Sequence, residues 1–480
     1  MPSENPFCIE PEIAEVRRWV DLAMWHVARH IETLPDQPAA HVEGAVEASR
    51  SLREPMPEQG TAVEPLLRFL FEEAIPRSYN TAGPGYLAYI PGGGILHSAV
   101  ADLIADATNR YVGVAAAAPL LVQLELNVIR WFCQIVHYPP GSGGVLTTGG
   151  SLANFTAVVA ARRDRLPENF LSGTIYASAQ VHHSVQKSAA LAGFPEHAVR
   201  EIATDSAFRM RMDALESAIA ADRAAGSNPF LVVGSAGTTN TGAVDDLTAI
   251  GELARRESLW FHVDGAYGGF FMLTERGQSA MRGIESADSI TLDPHKGLFL
   301  PYGTGSLLVR DVNTLRRAHS ADAEYLPAMQ QGTELEDFCE LSPELSRDFR
   351  GLRVWLPVKM CGIGEFRRQL DEKLDLAAWA AGEIRNIEHM SIVAEPQLSI
   401  VAFRLTPPHI DPTDWNRLNE DLLERINARK RVFLTATKVE RAFVIRICVL
   451  SFRTHRPRME QALEDIRAAA TEAVGEFRPS

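Results

Sequence analysis

Lysine is scarce in this chain. Only Lys187, Lys296, Lys359, Lys373, Lys430 and Lys438 occur among 47 Lys and Arg residues, and arginine supplies the rest. Arginine therefore does the ordinary surface work, and a lysine in an apolar setting needs a reason of its own. Cysteine is sparse and odd in number: Cys8, Cys133, Cys339, Cys361 and Cys448 are scattered, with no CxxC pair. That argues against a disulfide frame or a thiolate zinc site and fits a reducing cytoplasm. Positive charge is also short, the net charge being −14, so nonspecific binding to nucleic acid or to an anionic membrane is not expected. The apolar runs are too short or too interrupted to span a bilayer. The opening MPSENPFCIEPEI has no basic-then-apolar leader pattern, and a cytoplasmic protein is expected. Neither a Walker loop nor GxGxxG occurs near the glycine-rich turns.

What is present is an ordinary globular composition, 46% hydrophobic and 22% charged over 480 residues, enough for roughly two to four lobes. Residues 12–33 predict an amphipathic helix, with Ile13, Val16, Val20, Met24, Val27 and Ile31 at helical spacing. A second apolar helix is predicted over 61–74. Both are too apolar to stand alone and are expected to pack on the main body or on a partner subunit. The Gly- and Pro-rich stretch from Asn80 to Gly94 suits a pocket wall or a surface turn. Helices over 95–108 and 119–137 flank the alanine run 115–118. From Gly144 onward, short apolar strands alternate with helices. Strands apolar on both faces and joined by helices imply a mostly parallel sheet covered on both sides. A long helix is predicted from about Arg347 to about Ile387, and the remainder from about Met390 reads as a small α/β lobe.

In such sheets ligands sit beyond the carboxyl ends of the strands. Ser151, His182, Thr239 and Asp264 fall at or just past a strand end, and Lys296 lies in the turn after its own strand. Lys296 precedes the apolar run 297–300. It is either a snorkelling lysine or a desolvated amine of lowered pKa that can form a Schiff base with an aldehyde. Gly149-Gly150-Ser151 before a helix offers either an N-cap by Ser151 or free N–H groups for a phosphate. Asp264 wants a cationic partner, an arginine or a protonated ring nitrogen. His182 and His183 have no carboxylate or cysteine at ligand spacing, so metal binding is not expected, and His262 with Asp264 lacks a third ligand. Together the pieces meet the requirements of one cofactor, pyridoxal phosphate.

The chain resembles the group II pyridoxal-phosphate-dependent amino-acid decarboxylases, which include aromatic-L-amino-acid, histidine, glutamate and diaminobutyrate decarboxylases. The motifs that carry the resemblance are TTGGSLAN (147–154), SAQVHHSVQKSAALAG (178–193), GTTNTGAVD (237–245), HVDGAYGG (262–269), ADSITLDPHKG (287–297) and LSRDFRGLRVWL (345–356). The resemblance implies the type I, aspartate-aminotransferase-like fold: a mostly parallel large α/β domain over 85–388, a small C-terminal α/β domain over 389–480, and residues 1–84 packed on the partner of a homodimer. It implies Lys296 as the Schiff-base lysine and Asp264 as the partner of the ring nitrogen. His182 matches the histidine that stacks on the ring near the substrate carboxylate, and Gly150, Ser151 and Leu152 match the phosphate loop. Thr239 and Ala266 lie beside the ring by the same match, and His295 precedes the lysine. The implied reaction is decarboxylation of an amino acid to an amine, rather than another type I reaction such as transamination; a noncatalytic homologue would not need Lys296, Asp264 and His182 together.

Two departures stand out. The loop tyrosine that helps protonate Cα in the aromatic enzymes falls, counting back without gaps from Phe349, on Phe338, which has no acidic proton. In related plant and insect enzymes phenylalanine at this position accompanies oxidative decarboxylation–deamination to an aldehyde. Either that reaction with O₂ occurs here, or another donor serves, such as Tyr325 or a histidine; the simple amine-forming reaction is the expectation. Alanines 115–118 replace bulk on the substrate side, which leaves room for an aromatic amino acid, whereas an acidic substrate would need a pocket arginine such as Arg110.

Overall fold

The computed structural model describes residues 9–320 and 335–478. Its centre is a seven-stranded sheet ordered β1-β7-β6-β5-β4-β2-β3. The strands are β1 (Gly143–Thr147), β2 (Gly173–Ser178), β3 (Val199–Ile202), β4 (Asn228–Ser235), β5 (Trp260–Asp264), β6 (Ser289–Leu292) and β7 (Gly305–Val309). Pairs within β6-β5-β4-β2-β3 are parallel. β7 runs antiparallel to both neighbours, because it returns directly from β6 without a crossover helix. All of β2, β5, β6 and β7 is buried, as expected of strands with helices on both faces. The edge strand β3 was not anticipated: Val199-Arg-Glu-Ile202 is half-buried and too polar to stand out.

A second, antiparallel sheet is ordered β10-β11-β9-β8, with β8 (Met390–Ala394), β9 (Ile400–Leu405), β10 (Thr435–Val439) and β11 (Ala442–Cys448). Its apolar face packs with helices Ile363–Arg385, Trp415–Ala428 and Arg456–Glu476 around a core of its own. The single long helix expected after Arg347 is two, Arg350–Cys361 and Ile363–Arg385. They part at Gly362, whose φ of 73° lies where glycine is at ease and other residues are strained.

Helix Ile13–Thr33 has no buried residue, and its Ile13, Val20, Met24 and Trp25 stay exposed. Helix Val63–Phe69, which continues as a wider turn over Leu70–Ala74, packs beside it through a stacked His26–Phe71 pair. The loop from Asn80 to Gly94 is pinned rather than loose: Arg453 Nη1 donates to the Gly93 carbonyl at 2.7 Å, and Ile95 N–H donates to the Phe299 carbonyl at 2.8 Å. It thus lies against the turn that carries Lys296.

Candidate active site

The parallel strands end together. Ser235 of β4 pairs with Asp264 of β5, and Asp264 with Thr291 of β6. Beyond these ends lies a cavity of about 270 Å³. Gly150, Ser151, Leu152, His182, Thr239, Asp264, Ala266, His295 and Lys296 all line it. Residues spread over nearly 150 positions meet there because each follows a strand of the same sheet.

Lys296 sits on a single helical turn, Pro294–Gly297, entered through Asp293 and started by proline. Its Nζ lies 2.9 Å from Asp293 Oδ2. Burial opposes the charge on the amine, but the charge and hydrogen bond of Asp293 outweigh it, with Asp264 adding to them. The amine is therefore held above its ordinary value. This corrects the expectation of a lowered pKa, and it equally removes the snorkelling alternative, since the ammonium points to a buried carboxylate. Asp293 is 1% exposed, and its Oδ1 has no hydrogen-bond partner. His295 Nε2 is 3.6 Å from Asp293, while its Nδ1 donates to the Thr304 carbonyl at 2.5 Å. Burial pulls the His295 pKa down, against the pull of Asp293.

Asp264 pairs with no arginine. Its Oδ2 accepts from Asn154 Nδ2 at 3.0 Å, and its Oδ1 from Ala266 N–H at 3.1 Å. His182 Nδ1 faces Ser184 Oγ at 2.8 Å, and its ring lies 4.3 Å from that of His183. Burial lowers the His182 pKa, although Asp264 opposes the shift. Ser151 does not cap its helix. The N-cap of Gly150–Arg165 is Gly149, and no side chain caps it; the start of this sixteen-residue helix, Gly150 to Leu152, lines the cavity, where the positive end of the helix dipole favours an anion.

These residues fit pyridoxal phosphate by the chemistry of the donor set. An uncapped helix start suits a phosphate, a buried carboxylate with no cationic partner suits a protonated ring nitrogen, and a lysine suits the aldehyde. A Cβ at position 150 would lie 3.0 Å from Asp293 Oδ2 and 3.1 Å from Ala266 Cβ, so only glycine lets the helix start approach this closely.

Phe338 is elsewhere. It begins a short turn, Phe338–Glu340, is fully buried, and lies under the Arg347 guanidinium at 4.8 Å. It belongs to the core and does not line this chain's own cavity. Tyr325 lies outside the described residues. The alanine run does not line the cavity either: Ala115 is buried with its N–H on Asp337 Oδ1 at 2.7 Å, and Arg110 is exposed. Among the described residues no cluster of His, Cys, Asp or Glu is arranged to hold a metal.

Residues without an assigned role in the sequence reading are Asp293, Asn154 and Ser184. Asn154 had a signal. It is a poor helix former in the middle of a helix, and such a residue facing inward needs hydrogen-bond partners.

Comparisons with known proteins identify the family. Residues 56–406 match the pyridoxal-dependent decarboxylase conserved domain. An aromatic-L-amino-acid decarboxylase of Bacillus atrophaeus is 35% identical over 472 residues, 98% of either chain. A phenylacetaldehyde synthase of Petunia hybrida is 28% identical over 98% of this chain and 97% of its own. An Oryza sativa TDC crystallised with PLP and tryptamine shares the fold, with a TM-score of 0.91 at 24% identity over 96% of this chain and 99% of its own. With its lysine, carboxylate and histidine gathered at one sheet edge, the chain belongs to the pyridoxal-dependent decarboxylase family, and it is an amino-acid carboxy-lyase of the type I fold.

Proposed function

We propose that the enzyme decarboxylates an aromatic L-amino acid to its amine, as a cytoplasmic homodimer. The observation that carries the reading is the convergence of Lys296, Asp264 and His182 on one cavity in a chain 35% identical, end to end, to an aromatic-L-amino-acid decarboxylase. Pyridoxal phosphate, when bound, supplies an aldehyde that takes up amines and a ring that accepts the electrons left on Cα as CO₂ departs. The chain's own residues do the rest. The start of helix Gly150–Arg165, with Ser151 and Leu152, would hold the phosphate. Asp264 would offer its carboxylate to the ring nitrogen, Thr239 and Ala266 would lie beside the ring, and His182 would stack on it. Lys296 must give up a proton before its nitrogen can bond, and Asp293 Oδ2 is the group that shares that proton.

The uncovered apolar residues of helix Ile13–Thr33 support a partner subunit, with residues 1–84 against it, 85–388 as the cofactor domain and 389–480 as the small domain. No described helix is long and apolar enough to cross a membrane, and Cys133, Cys339, Cys361 and Cys448 are free, which suits a reducing compartment. The aromatic preference rests on the relative, since the alanine run does not bound the cavity.

The amine is favoured over the aldehyde because the relative at 35% identity is a decarboxylase, whereas the aldehyde rests on phenylalanine at 338, a core residue of this chain, and on synthases at 25% and 28% identity. Tyr325 or a histidine stands as the candidate proton donor, on sequence alone. A panel of amino acids, with amine, aldehyde, ammonia and peroxide measured for one turnover, decides the matter. Amine and CO₂ in equal amounts from an aromatic substrate are expected; stoichiometric aldehyde and peroxide would sink the proposal.

A further inference from the structure

Behind the residues that face the cavity, a chain of buried polar side chains runs back through the sheet. Trp260, His262 and Asp264 alternate along β5 and share one of its faces, and the register sets His262 beside Ser289 of β6. Trp260 Nε1 lies 2.8 Å from Ser289 Oγ, which lies 2.8 Å from His262 Nδ1. His262 Nε2 is 3.1 Å from Asn154 Oδ1, which also accepts from Thr291 Oγ1 at 2.7 Å. Asn154 Nδ2 donates twice, to Asp264 Oδ2 at 3.0 Å and to Ser184 Oγ at 2.9 Å. Ser184 Oγ then meets His182 Nδ1 at 2.8 Å. Trp260, Ser289, His262, Asn154 and Ser184 are each at most 2% exposed.

One set of bond directions satisfies every group. An indole N–H only donates, so the Ser289 oxygen accepts from Trp260 and its own proton is available to His262 Nδ1. The His262 proton then sits on Nε2 and points at Asn154 Oδ1. From a second starting point, an ionised Asp264 only accepts, so it requires the amide nitrogen of Asn154 and turns the amide oxygen towards His262. From a third, the backbone N–H of Ser184 donates to His182 Nδ1 at 3.3 Å, so that nitrogen carries no proton. The Ser184 hydroxyl must therefore donate to His182 and accept from Asn154. The three lines of reasoning meet without conflict.

We infer that His262 and Asn154 are positioning residues: through Asp264 and Ser184 they hold the carboxylate that serves the cofactor ring and fix His182 with its proton on Nε2. This rests on the cofactor reading above. Burial pushes the His262 pKa down to about 4, so the ring stays neutral at working pH and the pattern is not scrambled by its protonation. The charged and titratable groups around His182 itself are Asp264, Lys296, His183 and Asp293.

The test compares the holoenzyme with His262→Leu and His262→Gln. Glutamine can accept from Ser289 and donate to Asn154; leucine can do neither. Pyridoxal phosphate affinity and the pH dependence of the bound cofactor's absorption band are read. His262→Leu is expected to bind the cofactor about tenfold more weakly, with a displaced pH profile, and His262→Gln to restore both. If the unmutated protein does not bind pyridoxal phosphate, the functional reading falls. If it binds and His262→Leu matches it, or glutamine does no better than leucine, the positioning role falls. A measurement on the unmutated holoenzyme needs no variant to fold: histidine-selective ¹⁵N spectra are expected to show the His182 proton on Nε2, and a proton on Nδ1 overturns the inference.

Discussion

Two buried polar clusters share the main core of this enzyme, and they are built to opposite standards. Around Asn154 every donor and acceptor has a partner of the right kind, and the cluster opens into the cavity through Asp264 and His182. Around Arg347 the pairing is incomplete. Arg347 Nη2 meets Glu125 Oε1 at 2.6 Å with both side chains fully buried, yet among the described residues Arg347 Nε and Nη1 have no hydrogen-bond partner. The face of the guanidinium rests on Phe338 instead, and Glu125 Oε2 accepts the N–H of Gly351 at 3.0 Å. This second cluster ties helix Pro119–Ile135 to the start of helix Arg350–Cys361 and opens onto no cavity that holds the catalytic groups. A buried ion pair of this kind is weak evidence for stabilisation, but breaking it leaves an uncompensated charge. The difference separates the site from the architecture: the matched network opens onto the groups of the cavity, while the incompletely paired Arg347 and Glu125 fasten elements together.

Substitutions sharpen that contrast. Lys296→Ala is expected to cost about 10³-fold or more in kcat while the fold survives, as checked by steady-state kinetics and circular dichroism. Glu125→Ala should do the reverse. Loss of the partner of Arg347 is expected to cost about 3–5 kcal/mol in urea unfolding, with kcat per folded enzyme little changed. Phe338→Tyr tests whether residue 338 decides the product. A hydroxyl buried there without a partner costs about 1–3 kcal/mol, and the product is expected to stay the same; a shift in the amine-to-aldehyde ratio would put Phe338 in the chemistry.

The smallest effect is one of pH. Asp293 holds the free Lys296 amine above its ordinary value. The ion pair therefore adds stability to the apoprotein below the unfolded lysine's pKa, and that stability is lost as pH rises through the raised value. Asp293→Asn should move to lower pH the point at which the apoprotein captures pyridoxal phosphate quickly. An unmoved profile would mean that Asp293 does not govern the lysine.

Much of the site was legible because strand ends are legible. Apolar runs at 173–178 and 259–264 could only be buried strands, and the polar residue ending each had to face the same edge. Lys296 stood out because lysine is rare in this chain. What escaped the sequence depended on contacts between distant residues. Counting without gaps from Phe349 to Phe338 could not reveal that the Arg347 guanidinium covers the phenylalanine. The lysine's raised pKa came from Asp293, three residues away, whose approach requires the turn started by Pro294. The antiparallel β7 and the break at Gly362 were hidden for a similar reason, since hydrophobic pattern does not report strand direction, and one glycine in a helical pattern does not declare its φ.

The central claim is that Lys296, out of six lysines, carries the cofactor. Borohydride reduction of the yellow holoenzyme, followed by peptide mapping, tests it directly. A single pyridoxyl group on the peptide containing Lys296, with the yellow band lost, is the predicted result. A label on Lys187, Lys359, Lys373, Lys430 or Lys438, or no label at all, would contradict it.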